Sequence, residues 1–284
     1  KWPKAFHIAT QECQNHPIGQ RTICLKPNFP AEISKLHKTL HHLTPDPVLL
    51  LSSSDSYSLS WASQLTQRSI TSQYQPSPTV TIKEHLIITS PSHNVDTQPL
   101  EQIVGHFLKK FKQRSQVLAI STVVVCLDSS ILVDFLGQIE GNGLVFGYSW
   151  VFCDKNMVQI GAMSVVVRQM LKGSFGVCGP FCDGNERVAL FGLETLIAWE
   201  LSKDEGFGLN SSSLDLRLEL NKRPDILEKY NLQFESRSSN LVAKDFRTIN
   251  IDQDGNLRVL GDGLAFQSST RSWTDQLGQT DLNF

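Results

Sequence analysis

The sequence predicts an α/β fold of the doubly wound type, a mainly parallel sheet with flanking helices and a late antiparallel hairpin. Three observations predict it. Apolar runs at residues 48–51 and 117–127 end abruptly in Ser52-Ser-Ser-Asp55 and Asp128-Ser-Ser130, as strands buried on both faces do where they meet their loops. Stretches with apolar residues at helical spacing stand between such runs. Late in the chain, Asp252-Gln-Asp-Gly-Asn256 separates two extended runs, and Asp-Gly is a strong hairpin signal.

The elements follow in order. Ile33, Leu36, Leu40 and Leu43 place a helix over residues 30–43. Pro30 stands where a helix starts, and Pro45 and Pro47 end it. Residues 48–51 are the first buried strand. Leu59, Ala62, Leu65 and Ser69 mark a second helix, followed by a loop at Pro76 and Pro78 and an extended segment over 80–88. Leu100, Ile103, Val104, Phe107, Leu108 and Phe111 form a third, stronger amphipathic helix. Residues 117–127 read as a strand and 131–139 as a helix that stops at Gly141-Asn-Gly143. An aromatic strand over 148–153 then runs into Asp154-Lys155.

Beyond Asp154 the pattern changes. Residues 160–167 look like a strand, and 186–201 read as a helix with Val188, Ala189, Leu193, Leu196, Ile197 and Leu201 turned inward. The stretch 205–240 is polar and irregular, and the hairpin joins 246–251 to 257–260. The expected organisation is an irregular segment at 1–29, an α/β lobe at 30–158, a second partial lobe or return segment at 159–272 and a tail at 273–284.

Composition narrows the function classes. The 284 residues are 40% hydrophobic and 19% charged, enough to build a real core and too apolar for general disorder. With 26 basic against 28 acidic side chains and no long run of one sign, a phosphate-binding stripe is absent and no nucleic-acid partner is expected. The apolar runs fall short of the ~20 residues that cross a bilayer. Lys1-Trp-Pro-Lys-Ala-Phe-His7 lacks the apolar core of a signal peptide, so any targeting segment is expected to have been removed or never to have been there.

In a doubly wound layer, ligands meet the carboxyl ends of the strands. Ser53, Ser54, Asp55, Asp128, Ser129 and Asp154 stand there and are the candidate ligand-binding residues, Asp154 foremost. The same side-chain oxygens also suit helix caps, the simpler role for Ser129 and Ser130. Enzyme chemistry finds no support: no Gly-x-Ser-x-Gly frame surrounds Ser60, and the glycines form neither a P-loop nor a dinucleotide fingerprint. No metal or cofactor is expected. His37 and His41 have a metal-compatible spacing, but Lys38 stands where a zincin has glutamate, which favours a solvated helix face. Cys178 and Cys182 lack a second cysteine pair.

The cysteines point instead to oxidation. Cys13 and Cys24 flank a polar loop and Cys178 and Cys182 bracket Gly-Pro-Phe, so both pairs are disulfide candidates. Cys126 and Cys153 close two strands of one sheet, where neighbouring strands bring sulfurs within bonding reach and buried free thiols are as common. Asn210-Ser-Ser is a glycosylation sequon. An extracellular or cell-surface location is expected.

The order of parts resembles the bilobed type 1 periplasmic-binding-protein-like ligand domain. That family includes bacterial solute receptors, ionotropic glutamate receptor amino-terminal domains and receptor guanylyl cyclases. Three segments carry the resemblance: the helix, strand and helix of residues 30–68, the late hairpin at 249–256, and the stretch 117–154 with its Gly147-Tyr-Ser-Trp150 run. It covers residues 18 to 272, and most of the family's first lobe has no counterpart ahead of them. It implies a non-enzymatic ligand-recognition or assembly domain of a signalling receptor, glycosylated and disulfide-bonded. A small-molecule ligand or protein partner, dimerisation through helix faces, and a membrane link only through a part outside this chain would follow. Two alternatives stay open: a structural subunit that retains the fold without a pocket, and an intracellular α/β enzyme.

Overall fold

The computed structural model describes residues 7–9, 22–43, 47–72, 80–89, 99–145, 147–181, 185–204, 220–235, 240–260, 265–267, 272–274 and 280–283. In chain order the first elements are β1 (His7–Ala9), β2 (Thr22–Lys26), α1 (Phe29–Leu43), β3 (Val48–Ser53), α2 (Ser56–Ser72), β4 (Ile82–Ile88), α3 (Leu100–Leu118), β5 (Thr122–Cys126) and α4 (Ser129–Gly141). There follow β6 (Ser149–Phe152), α5 (Asp154–Ala162), α6 (Val165–Met170), β7 (Phe175–Cys178), α7 (Asn185–Asp204), α8 (Pro224–Lys229), β8 (Leu232–Phe234) and β9 (Leu241–Ala243). The last are β10 (Arg247–Ile251), β11 (Leu257–Leu260), β12 (Ala265–Gln267), β13 (Ser272–Thr274) and β14 (Thr280–Asn283).

Two compact units result, each discontinuous in sequence. The larger comprises Glu32–Cys178 and Arg247–Phe284, the smaller Lys1–Ala31 and Gly179–Phe246. Contiguous divisions after residues 29, 158 and 272 do not describe this arrangement, because β7 joins the sheet of β3 to β6 and β9 pairs back with β2.

The larger unit holds a seven-stranded sheet in the order β11-β10-β7-β6-β5-β3-β4. Strands β4, β3, β5, β6 and β7 run parallel, and β10 and β11 complete the edge antiparallel. The fold is α/β and doubly wound. Strands β3, β5 and β7 are buried along their whole length, so apolar residues occur without alternation. Leu49 pairs with Val123, and Val123 with Trp150, so the strand ends finish in line.

Helices α3 and α4 pack together beside the sheet. Beneath them Trp150 stacks obliquely on Phe111 and meets Phe135 edge-on, with ring centroids 5.7 Å apart in each case. Tyr148 joins the cluster, its hydroxyl 2.7 Å from that of Ser115. At β7, Gly176 is required by close approach: a Cβ there would lie 2.2 Å from Met157 Cγ and 2.9 Å from the Phe152 carbonyl oxygen. Arg168 ties helix to hairpin, donating to the carbonyls of Gly161 (2.8 Å), Met163 (2.7 Å) and Gly255 (2.7 Å). Gly255 holds the hairpin turn at φ 77°.

The smaller unit has its own four-stranded sheet, β1-β2-β9-β8. Its core gathers Leu25, Phe191, Leu220, Ile226, Tyr230, Leu232 and Leu241. A three-stranded antiparallel sheet, β12-β13-β14, lies in the larger unit's share of the chain.

Several elements differ from the sequence expectation. The run 117–127 is divided: α3 continues to Leu118, Ala119 turns left-handed at φ 50°, and β5 begins at Thr122. Val117 is 72% exposed, an apolar residue on the helix's wet side. The presumed strand at 160–167 is helical in α5 and α6, with Val165 and Val166 exposed. On α7, Leu193 and Ile197 face outward while Phe191 and Thr195 are buried, because a helix apolar on several sides does not reveal its inner face by spacing. Residues 1–29 contain β1 and β2, the tail at 273–284 contains β14, and β7 was not foreseen.

Candidate functional site

The chain leaves β3 through α2 toward β4 on one side and leaves β5 through α4 toward β6 on the other. Right-handed crossovers in opposite directions place such helices on opposite faces and make the carboxyl ends of β3 and β5 a topological switch point, where ligands meet doubly wound sheets. Ser53, the last residue of β3, bridges that point. Its hydroxyl donates to Asp55 Oδ2, accepts the Asp128 N–H at 2.7 Å, and lies 3.0 Å from the Ser58 hydroxyl.

Each neighbouring acid closes a helix start. Asp55 Oδ1 accepts the Ser58 N–H at 3.0 Å. Asp128 is the N-cap of α4, accepting the Ser130 N–H at 3.1 Å and the Ser130 hydroxyl at 2.8 Å. Between them lies Lys155, from the first turn of α5. Its ammonium is 3.4 Å from Asp128 Oδ2 and 5.0 Å from the centroid of the Tyr57 ring. The Lys155 side chain is 8% exposed and that of Asp128 36%, so the cation is the sheltered partner.

Burial pushes the Asp55 carboxyl upward, but hydrogen bonds from Ser53 and Ser58, with Lys155 nearby, outweigh it and hold the group below the usual carboxylate range. Asp128 behaves alike: burial raises it, and the Ser130 hydroxyl and N–H with Lys155 bring it below normal. Both remain ionised at neutral pH. Tyr57 is held far above the ordinary phenol range by burial and by Glu32, Cys153 and Asp154, so it stays neutral.

Behind this group lies a second set. Glu32, on α1, is 1% exposed, and its Oε1 accepts the Trp61 indole N–H at 2.8 Å and the Asp154 backbone N–H at 2.9 Å. Burial, with the Asp154 charge, pushes the Glu32 carboxyl up to about 8 despite those donors. At the other corner of α5, Asn156 acts as an extra strand residue. Its Oδ1 accepts the Leu127 N–H at 2.8 Å and its Nδ2 donates to the Leu127 carbonyl at 2.7 Å. Asn156→Ala leaves both backbone groups buried without those partners and is expected to cost about 2–4 kcal/mol. A urea midpoint unchanged from wild type would refute this.

The structure brings together Ser53, Asp55 and Asp128. Ser54 continues the β3–β4 pairing, its N–H donating to the Ile88 carbonyl at 2.9 Å. Ser129 is not the cap: it opens α4, with Asp128 as cap, and offers its carbonyl to Gln159 Nε2 at 2.8 Å. Asp154 enters the site through its backbone N–H and its charge beside Glu32. Sequence reasoning missed Glu32, Tyr57, Ser58, Trp61, Lys155 and Asn156. Lys155, directly after Asp154, carried the one local signal.

Elsewhere, the Ser52 hydroxyl lies 2.8 Å from His85 Nε2, and burial holds His85 below the usual imidazole range. Burial, together with Arg68 and His41, does the same to His37. Among the described residues no group of three or more His, Cys, Asp or Glu side chains is placed to hold a metal ion. Among them, too, no helix is long and apolar enough to cross a membrane. Cys24 lies in β2, Cys178 is disulfide-bonded, and Cys13, Cys182 and Asn210 lie outside the described residues.

No family model matches the chain, and no curated protein shows significant similarity to it. Among solved structures it is similar to an extracellular ligand-binding receptor from Rhodopseudomonas palustris HaA2, with TM-score 0.47 and 12% identity over 84% of this chain and 70% of that one. It is also similar to Rp1789 of Rhodopseudomonas palustris strain CGA009, with TM-score 0.46 and 12% identity over the same shares.

Proposed function

We propose that the chain is a non-enzymatic ligand-recognition domain of an extracellular or cell-surface receptor-like protein. It recognises a small polar ligand at the carboxyl ends of β3, β5 and β6. The observation that carries the reading is the reversal of strand order between β3 and β5. At that point Ser53 links the two strand ends and Asp55, Asp128 and Lys155 present charge of both signs. Such a group suits a ligand bearing an amine or hydroxyl. The sequence resemblance to type 1 periplasmic-binding-protein-like domains supports the same reading. The Asn210 sequon and the cysteine pairs, Cys13 with Cys24 and Cys178 with Cys182, support an oxidising compartment. Leu190, Leu193 and Ile197, half exposed on α7, support assembly through a helix face.

Calorimetric titration of the full chain with a panel of amino acids, amines and polyols tests the site. A compound that binds is expected to lose about tenfold or more in affinity, some 1.4 kcal/mol, in Asp128→Asn and in Lys155→Met. Binding that both variants retain would place the ligand elsewhere. A second reading, a structural subunit without a pocket, draws on the way Ser53 and Ser58 already satisfy Asp55, and Ser130 and Lys155 already satisfy Asp128. It predicts no binder in the panel and variants that change only stability.

A further inference from the structure

Cys126 and Cys153 are free thiols, both fully buried. Cys126 ends β5, and Cys153 directly follows β6. The register pairs Val125 with Phe152, and the Cys153 N–H donates to the Val125 carbonyl at 3.0 Å, so strand pairing persists one residue beyond. Opposed residues on neighbouring parallel strands point to the same face. Their backbones lie about 4.8 Å apart, inside the Cα separation of about 4.4–6.8 Å that a disulfide spans. The Cys153 thiol lies 3.4 Å from Asn156 Oδ1 and also faces the Cys126 thiol.

We infer that Cys126 and Cys153 are an oxidation site, closing a cross-strand disulfide between the ends of β5 and β6 when the chain folds in the presence of a small-molecule disulfide. The thiolate of one cysteine attacks oxidised glutathione, expels one glutathione thiolate and leaves a mixed disulfide. The other cysteine then displaces the second glutathione. The two protein thiols lose two protons and two electrons, and the glutathione disulfide gains them as two thiols. Burial holds the Cys153 thiol well above its ordinary value and excludes reagent, so exchange belongs to the folding chain and the folded dithiol is inert. The bond fastens the start of α5, with Asp154 and Lys155, to the strand that leads into Asp128. The inference is independent of the ligand reading.

The test is refolding of the full chain from denaturant in a mixture of reduced and oxidised glutathione, followed by alkylation under denaturing conditions and non-reducing peptide mapping. A linked peptide joining Cys126 to Cys153 is expected in chains that have regained native circular dichroism. Chains refolded with a reductant and only then given oxidised glutathione should carry alkyl groups at both positions. In Cys153→Ser, Cys126 should be alkylated under either regime. Native-like chains with both thiols alkylated after oxidative refolding, or Cys126 linked to another cysteine, would overturn the inference. The same mapping on chain secreted through an oxidising compartment reads the result without refolding.

Discussion

The wild-type chain is expected to lose stability between about pH 5 and pH 8, and Glu32→Gln is expected to flatten that fall. The Glu32 carboxyl is raised from 4.5 to about 8 in the folded chain, first by burial and then by the Asp154 charge. Below pH 4.5 the side chain is protonated in both folded and unfolded chains, and its contribution is fully present. As pH rises toward 8, the unfolded chain releases the proton and the folded chain keeps it, so stability falls by up to about 1.4 kcal/mol per unit. Above about 8 the contribution is lost. Across the window the loss amounts to several kcal/mol. Glutamine keeps an oxygen for the Trp61 and Asp154 N–H groups and carries no titrating proton. Urea midpoints of both chains from pH 5 to 9 check this. Parallel profiles for wild type and Glu32→Gln would show that Glu32 is ionised in the fold.

Trp150→Ala is expected to cost about 3–5 kcal/mol, the usual range for deleting a fully buried aromatic. Trp150 is 1% exposed and stands among Phe111 of α3, Phe135 of α4 and Tyr148 just before β6, so its loss leaves a volume bounded by rings from separate elements. Among the described residues its indole N–H has no hydrogen-bond partner. Trp150→Phe therefore removes an unsatisfied donor along with volume, and a smaller loss, about 1–2 kcal/mol, is expected. Equal losses in the two variants, read by chemical denaturation at fixed pH, would contradict this account.

The candidate site was partly legible because strand ends announce themselves. Ser53, Asp55 and Asp128 follow apolar runs of the kind that strands buried on both faces produce, and the structure brings all three together at the carboxyl ends of β3 and β5. Their immediate duties are local: Asp55 and Asp128 accept the N–H groups of Ser58 and Ser130. The rest of the site comes from elements distant in sequence. Glu32 looks like an ordinary first-turn acid on α1, and only packing against α2 and α5 buries it beneath Trp61. Lys155 looks like a surface lysine until the fold sets its ammonium over the Tyr57 ring and leaves the side chain 8% exposed.

Local residue pattern determined the α/β layer, the helices α1 to α4 and the β10–β11 hairpin, because strand burial, helical spacing and turn chemistry act over a few neighbours. Tertiary structure decided what such spacing does not contain. It set the strand order that reverses between β3 and β5, the return of β10 to β7, the inner face of α7 and the second unit drawn from two stretches of chain. The physical reason is that pairing between remote strands and the burial of a charge beside its partners depend on which surfaces meet. Periodicity tells only that a surface is apolar.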